Sequence, residues 1–159
     1  MPDRRMVTGK QQGVALIEVM VAVLLLSVGL LGYSALQVRA VKATQSSLQR
    51  TTASILAGNI LEVMRANKAW AIDPSHPYNL AAGTCDVPVT DNTLIKDDLN
   101  RWFNTLKTAL GQSRTTCADI TCADANSAAP GMCTINIYWD DSRAMGGLTQ
   151  QTIQLVGRL

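Results

Sequence analysis

A single carboxylate, Glu18, lies within an apolar run of membrane length. The run extends over 23 residues from Val14 to Leu36. As a helix it would be about 34 Å long, against a bilayer hydrocarbon core of roughly 30 Å. An acid costs about 2.5–3.5 kcal/mol at the centre of such a helix and less near its end, so acids retained there usually have a function. The sequence predicts a transmembrane helix over 14–36 in which Glu18 has a role, the alternative being a plain anchor with an interfacial acid.

A short polar leader precedes the apolar run. It carries Arg4, Arg5 and Lys10 against one acid, Asp3, and such positive charge favours retention on the cytoplasmic side. A secretory signal peptide would have an apolar core of about 7–15 residues followed by a small-residue cleavage site. Here the run is longer, and Gly13 lies before it. The sequence therefore predicts a cytoplasmic N-terminus and export of the residues beyond the run.

The order of leader, Gly13, four apolar residues, Glu18 and a further apolar stretch resembles the class III signal of type IV prepilins and pseudopilins. The resemblance implies that a membrane prepilin peptidase removes residues 1–13 by cutting the Gly13–Val14 bond. It also implies N-methylation of the new amino terminus at Val14, a position where the family more often has Phe or Met. Glu18 then becomes the fifth residue of the mature chain.

Cleavage would create an amine one helical turn from the Glu18 carboxylate. Val14 and Glu18 are four residues apart, about 6 Å along the axis and on one helical face. Opposite charges attract strongly in apolar surroundings, and each is costly if unpaired. The resemblance implies that the acid meets the amino terminus of a neighbouring subunit, which fixes register more than it adds stability. We therefore assign Glu18 a role in assembly register.

The first helix is predicted to continue past the membrane segment, over 14–67. No proline occurs between Tyr33 and Asn67, and prolines at 74 and 77 follow. Residues of one helical face recur every three or four positions and are expected to pack on a sheet: Leu48, Thr52, Leu56, Ile60 and Val63.

Residues 68–159 are predicted to form a small head. A second helix is expected over Thr93–Leu110, with Trp102 and Phe103 in the core. Alternating apolar and polar residues predict a C-terminal hairpin of strands over 133–139 and 152–157, and a short strand near 115–120 is a further candidate. The fold class is α+β: a type IV pilin-like lollipop with one long N-terminal helix packed on a small antiparallel sheet that also carries a shorter helix.

Four cysteines lie beyond the apolar run: Cys85, Cys117, Cys122 and Cys133. An even number in a small exported domain indicates disulfides, whereas zinc would need closer ligand spacing and histidines. Three pairings are open. We favour Cys122 with Cys133, because Pro130–Gly131 between them can turn the chain, which leaves Cys85 with Cys117. No metal site and no small-molecule cofactor are expected.

The sequence offers no convergent set of catalytic residues. The single histidine, His76, lies between prolines in a loop, and the acid pairs Asp97–Asp98 and Asp140–Asp141 suit a helix start and a turn. Without the leader the chain has 14 − 3 = 11 basic and 12 − 1 = 11 acidic residues, so nothing indicates nucleic acid. We expect no enzyme, with a membrane-tethered periplasmic enzyme or a ligand-binding head as alternatives.

The chain contains the stretch Leu56–Asn67, which reads L-A-G-N-I-L-E-V-M-R-A-N, a later helix with Trp102, and a strand ending at Tyr138–Trp139–Asp140. In these features it is similar to the PilV group of type IV pilus minor pilins. The resemblance is specific over residues 13–66. It implies an inner-membrane protein with a periplasmic head, which after processing joins other minor pilins and the major pilin in pilus initiation, assembly or tip composition at the cell surface. A minor pseudopilin of the I type, from a type II secretion system, is the alternative.

Overall fold

The computed structural model describes residues 14–75, 77–86, 92–112, 114–144 and 146–159. The chain divides into two compact units, one ending at Ala40 and the other running from Val41 to Leu159. The described part of the first unit is helical throughout. The elements of the fold, in chain order, are α1 Val14–Ala66, α2 Lys68–Ala71, β1 Leu80–Thr84, α3 Thr93–Leu110, β2 Cys117–Cys122, β3 Met132–Trp139 and β4 Gln151–Arg158.

The predicted fold class is confirmed: the fold is α+β and pilin-like, with a long N-terminal helix and a four-stranded antiparallel sheet. The helix α1 ends at Ala66, one residue before the predicted end. Asn67 forms a turn there, and its side-chain amide donates to the Tyr78 hydroxyl and to Asp98. A single further helical turn, α2, follows and was not predicted, because four residues are too few to show a periodicity.

The predicted packing face of α1 is partly wrong. Leu48 is 63% exposed, and the buried stripe begins only at Ala53. Alanines alternate with larger side chains in this stripe, which lets the helix backbone approach the sheet: Ala53, Leu56, Ala57, Ile60, Leu61 and Met64. The two elements pack closely at β4, where a Cβ on Gly157 would lie 2.4 Å from Leu61 Cδ2. Close packing between helix and sheet therefore selects small residues that a search for large apolar side chains overlooks.

The helix α3 has the predicted bounds. Asn92 caps its N-terminus, with the side-chain oxygen accepting from the backbone N–H groups of Leu94 and Ile95, and Gly111 follows its last turn. Trp102 and Phe103 are buried as predicted, in an edge-to-face contact with ring centroids 5.3 Å apart. The Trp102 indole N–H donates to the carbonyl of Leu56 at 2.8 Å, so α3 is hydrogen-bonded to α1 within the core.

The sheet has the strand order β1-β2-β3-β4, with each pair antiparallel. The predicted C-terminal hairpin is confirmed as β3 and β4, and the candidate strand near 115–120 is β2, displaced by two residues. Along β3 every second residue is buried, including Ile135 and Ile137. Strand β1 was not predicted, because its sequence, L-A-A-G-T, has small residues and no alternation.

We predict that Leu56→Ala and Leu48→Ala will differ sharply in effect. Leu56 is 6% exposed within the core, and truncating a buried leucine costs about 2–5 kcal/mol of unfolding free energy. Leu48 was expected on the same face but is exposed, so its truncation should cost less than about 0.5 kcal/mol. Denaturant unfolding of the detergent-solubilised protein measures both. Equal losses would mean that Leu48 also packs on the head.

Candidate functional site

The first half of α1 exposes an almost wholly apolar surface. Every side chain from Leu16 to Ala40 is exposed, and Leu31 reaches 73%. By length and composition, α1 could cross a membrane. Monomeric soluble proteins rarely expose contiguous apolar patches above a few hundred Å². Such a surface is suited to lipid or to other apolar helices.

Hydroxyl groups within this apolar half satisfy their hydrogen bonds inside the helix. Ser27 donates to the carbonyl of Val23 at 2.7 Å, and Ser34 donates to that of Leu30 at 2.8 Å. A hydroxyl bonded one turn back carries a much smaller penalty in an apolar environment than an unsatisfied one. Ser27 and Ser34 therefore do not require a partner helix.

Glu18 lies exposed among these apolar side chains, in the second turn of α1. Within the described ranges, no hydrogen bond or ion pair engages its carboxylate. Leu16, Ile17, Val19 and Met20 around it are all exposed by more than half. When lipid or another helix covers such a surface, an ionised carboxylate loses its contact with water, and an unpaired charge becomes costly. A nearby cation then stabilises the carboxylate.

The proposed cleavage position borders the described region. Gly13, the leader 1–13 and His76 lie outside the described residues. Helix α1 begins at Val14, so the backbone carries that residue and Glu18 on one face, one turn apart. An amine created at Val14 would be close enough to pair with a carboxylate at Glu18 of its own chain or of an adjacent one.

The structure contains the two disulfides that the sequence analysis favoured, Cys85–Cys117 and Cys122–Cys133. Cys122 and Cys133 lie directly opposite each other on β2 and β3, on the face of the sheet that carries the core. Cys117, at the start of β2, lies on the other face. Its bond to Cys85 holds the chain just after β1. Each bond thus restrains a different face of one sheet, which restricts the unfolded chain of a small domain.

Acids that the sequence analysis regarded as cap or turn residues connect distant parts of the head. Asp98 accepts from the Tyr78 hydroxyl at 2.8 Å and from Asn67 at 3.2 Å, joining α3 to the end of α1. Asp141, only 3% exposed, accepts from the Ser46 hydroxyl at 2.6 Å and so holds the loop after β3 against α1. These roles depend on long-range contacts, which no local pattern reveals.

Asp119 is a further polar residue that sequence reasoning missed. It accepts from Asn136 at 2.7 Å and from the Tyr138 hydroxyl at 2.6 Å, across β2 and β3. This hydrogen bond, with burial, raises the pKa of Tyr138 to about 12. The available signal was an acid in the middle of a strand, away from any predicted turn, since a buried acid needs donors on the neighbouring strand.

None of these acids forms a metal-ligating group with histidine or cysteine within the described part of the chain. A cavity of about 240 Å³ lies beside Asp141, and its walls carry both signs of charge, with Lys42 and Arg143 facing Asp140 and Asp141. The positive and negative side chains in these walls balance each other, so the cavity indicates no class of ligand. The apolar half of α1 with Glu18 is therefore the candidate functional site.

Two protein-family models match adjoining parts of the chain. Residues 8–34 match the prokaryotic N-terminal methylation motif, and residues 35–92 match a family described as type IV pilin Tt1218. The chain carries a type IV pilin domain. It is a component of a pilus or pseudopilus, and its prepilin motif implies processing by prepilin peptidase and assembly with other pilins. No curated protein and no solved structure matches it.

The two family matches agree with the geometry of the chain. The type IV pilin family is structural rather than enzymatic. The methylation motif covers Glu18 and the exposed apolar surface around it, and the pilin match covers the rest of α1 and reaches beyond β1. A class III signal before an apolar helix indicates membrane anchoring followed by incorporation into the filament.

We predict that Tyr78 makes the pilin head less stable at alkaline pH. Burial, and then the hydrogen bond to Asp98, raise the pKa of Tyr78 to about 12 from its ordinary value of 10.0. The unfolded state then holds fewer protons between these values, so the contribution of Tyr78 is complete below pH 10 and is lost as pH rises towards 12. By pH 11 the loss should be on the order of 1 kcal/mol.

The test compares denaturant unfolding at pH 8 and pH 11 for the wild type and Tyr78→Phe, which lacks the titrating hydroxyl. The variant should lose less stability between the two pH values. Tyr33→Phe, at an exposed position of α1, is the control and should behave as the wild type does. An unchanged pH dependence in Tyr78→Phe would contradict the assignment.

Proposed function

We propose that this pilin is a minor pilin of the PilV group, which takes part in the initiation, assembly or tip composition of a type IV pilus. The observation that carries the proposal is an acid-bearing apolar helix surface, matched by a methylation motif and followed at once by a pilin domain. The similarity of Leu56–Asn67 to PilV proteins supports the group. The same motif also suits a minor pseudopilin of the I type, which is the second candidate.

In this proposal the chain has three parts. Residues 1–13 are a leader that prepilin peptidase removes, 14–67 are the long helix with its transmembrane part at 14–36, and 68–159 are the periplasmic head. Before assembly the protein is held in the inner membrane by a single span, and after assembly it lies in the pilus at the cell surface. Val14 provides the N-methylated amino terminus.

Assembly requires no cofactor and proceeds by helix packing. The exposed apolar side chains of α1 leave lipid for an environment of other pilin helices, so little hydrophobic free energy is gained in this step, and polar contacts determine the register. Pairing of Glu18 with the Val14 amine of an adjacent subunit satisfies two charges at once. A subunit displaced by one helical turn would leave both charges unpaired, at a cost of several kcal/mol.

We predict that processing requires Gly13, because a peptidase that cuts at the start of a membrane helix needs a residue without a side chain there. Gly13→Val should retain the 13-residue leader. Gly9→Val places the same side chain in the leader, away from the cut, and should be processed normally. Mass spectrometry of the N-terminus measures both. A mature N-terminus elsewhere, for instance after the apolar run, would overturn the prepilin interpretation.

We predict that Glu18 is required for assembly and not for processing. Glu18→Gln keeps the shape and removes the charge, and Glu18→Ala removes both, so each variant should be cleaved but should enter filaments poorly. A roughly tenfold loss corresponds to about 1.4 kcal/mol, a modest part of the cost of an unpaired buried charge. Recovery in sheared pilus fractions, measured beside cleavage, provides the readout.

Glu62→Gln is the matched control for Glu18→Gln. Glu62 is the other glutamate of the chain, lies on the same helix, and pairs at the surface with Arg65. Its loss should leave incorporation unchanged, since exposed ion pairs contribute less than about 1 kcal/mol. Normal incorporation of both Glu18 variants would instead support the plain-anchor alternative, in which removing the acid eases insertion.

A further inference from the structure

Strand β4 forms one edge of the sheet and is eight residues long. Its pairing with β3 continues without a shift from Met132 opposite Arg158 to Trp139 opposite Gln151. Residues 151–157 contain no charged residue, no proline and no bulge. Edge strands of natural proteins usually carry at least one of these features, because an unprotected edge accepts another strand.

The direction of the β4 backbone groups follows from antiparallel geometry. Met132 bonds towards β2, because its carbonyl accepts from the Ala123 N–H, so by alternation Cys133 and every second residue after it in β3 bond towards β4. Residues 151, 153, 155 and 157 therefore bond to β3. The N–H and C=O groups of Thr152, Gln154 and Val156 point away from it, and we refer to these three residues as the free edge.

The end of β4 supports this assignment. By the same alternation the Arg158 carbonyl points outward, and the Arg65 guanidinium does bond to it from outside the sheet, at 2.9 and 2.7 Å. Among the described residues no comparable partner reaches the free edge itself. Three donors and three acceptors, each set spaced about 7 Å apart, match one side of an extended strand.

The opposite edge of the sheet is protected. Strand β1 has five residues, and its register with β2 shifts between Leu80 and Thr84. Gly83 has φ 70, and the Thr84 hydroxyl bonds the Ala81 carbonyl. Such an irregular edge offers little regular pairing. The two edges of one sheet therefore differ: β1 is irregular and β4 is regular along its length.

The core also continues to β4. Ile153 and Leu155, on the face of the sheet that packs against α1, are only partly buried although they contact the core. A further strand beside β4 would cover them with its own apolar side chains on that face. Backbone hydrogen bonds and this apolar strip together define the occupant as an uncharged extended strand.

Antiparallel pairing of two free edges does not suit two copies of this chain. Antiparallel pairing of β4 with β4 creates a two-fold axis perpendicular to the sheet. Since α1 lies along the sheet face, burying residues from Ala53 to Met64, the 41–66 segments of the two copies would run in opposite directions. Subunits that enter one membrane through their N-termini require the same direction. Pairing of β4 with the β1 of another copy would keep the two 41–66 segments in the same direction. The partner strand would then be the irregular β1, which offers little regular pairing.

We propose that the free edge of β4 pairs antiparallel with the edge strand of a different pilin-type head, in a continuous sheet in which the 41–66 segment and the corresponding helix of the partner run in the same direction. A four-stranded antiparallel sheet permits this, because the first strand of a neighbouring sheet in the same orientation runs opposite to β4. The proposal rests on the proposed function, for which it names a partner and a surface. It makes β4 the feature that distinguishes one neighbour from others.

Gln154→Pro tests the proposal at the level of a single N–H group. Proline removes a donor that points outward and leaves the ladder to β3 intact, as edge strands allow. Gln154→Ala removes the side chain and keeps the donor. Co-purification of the membrane-extracted full-length protein with other pilin-type subunits should fall about tenfold in Gln154→Pro and remain unchanged in Gln154→Ala.

A photo-activated cross-linking residue at position 154 provides a second measurement that does not depend on the fold of the proline variant. It should join the chain to an edge strand of another protein with a class III prepilin signal. The same residue at Thr121, exposed on a central strand, should not. Cross-links only between copies of this chain, no pilin-type partner, or full co-purification of a folded Gln154→Pro variant would overturn the proposal. Failure of the proposed function would appear separately, as a wild-type chain that is not processed or not recovered with pili.

Discussion

The exposed apolar surface of α1 from Leu16 to Ala40 is the feature on which the rest of the molecule depends. No described residue covers it, so the protein requires either a bilayer or other apolar helices. Because both environments exclude water from hydrocarbon equally well, moving between them costs little free energy, and a subunit can pass from membrane to filament without unfolding. The same equality means that apolar contact alone gives poor control of register, which makes a polar contact at Glu18 effective.

The head has a different physical task, since it must be stable with a small core. Residues 41–66 of α1 contribute one side of that core, α3 is joined to it by the Trp102 hydrogen bond, and the sheet closes the remaining side. The two disulfides add restraints on opposite faces of the sheet, near both ends of β2. Such cross-links suit a domain whose core alone supplies limited stability.

Local and periodic features of this chain were predictable from the sequence. The bounds of α3, the β3–β4 hairpin, the end of α1 within one residue and the two disulfides follow from capping residues, alternation, prolines and cysteine number.

The features that were missed depend on distant residues. Ala53 and Ala57 are buried because the sheet approaches them, Leu48 is exposed because nothing reaches it, and Asp98, Asp119 and Asp141 gain their roles from donors 17–95 residues away. Strand β1 exists because β2 offers it a partner, not because its own sequence favours a strand. For the site, the resemblance to class III signals implied Gly13 and Val14, and helix geometry placed Glu18 one turn from Val14; these three assignments stay predictions.

In the two proposals made here, register and partner choice fall to different parts of the chain. A carboxylate that meets an amine at a fixed depth suits any subunit with the same N-terminal motif, so it cannot determine which subunit comes next. Only the heads differ enough to do so, and a surface for that purpose must be directional and must exclude identical copies. The β4 edge as proposed has both properties: its hydrogen bonds fix the direction of an incoming strand, and antiparallel self-pairing would make the 41–66 segments of two copies run in opposite directions. A subunit whose open edge rejects its own copies suits a single defined position among unlike neighbours better than it suits a repeating homopolymer.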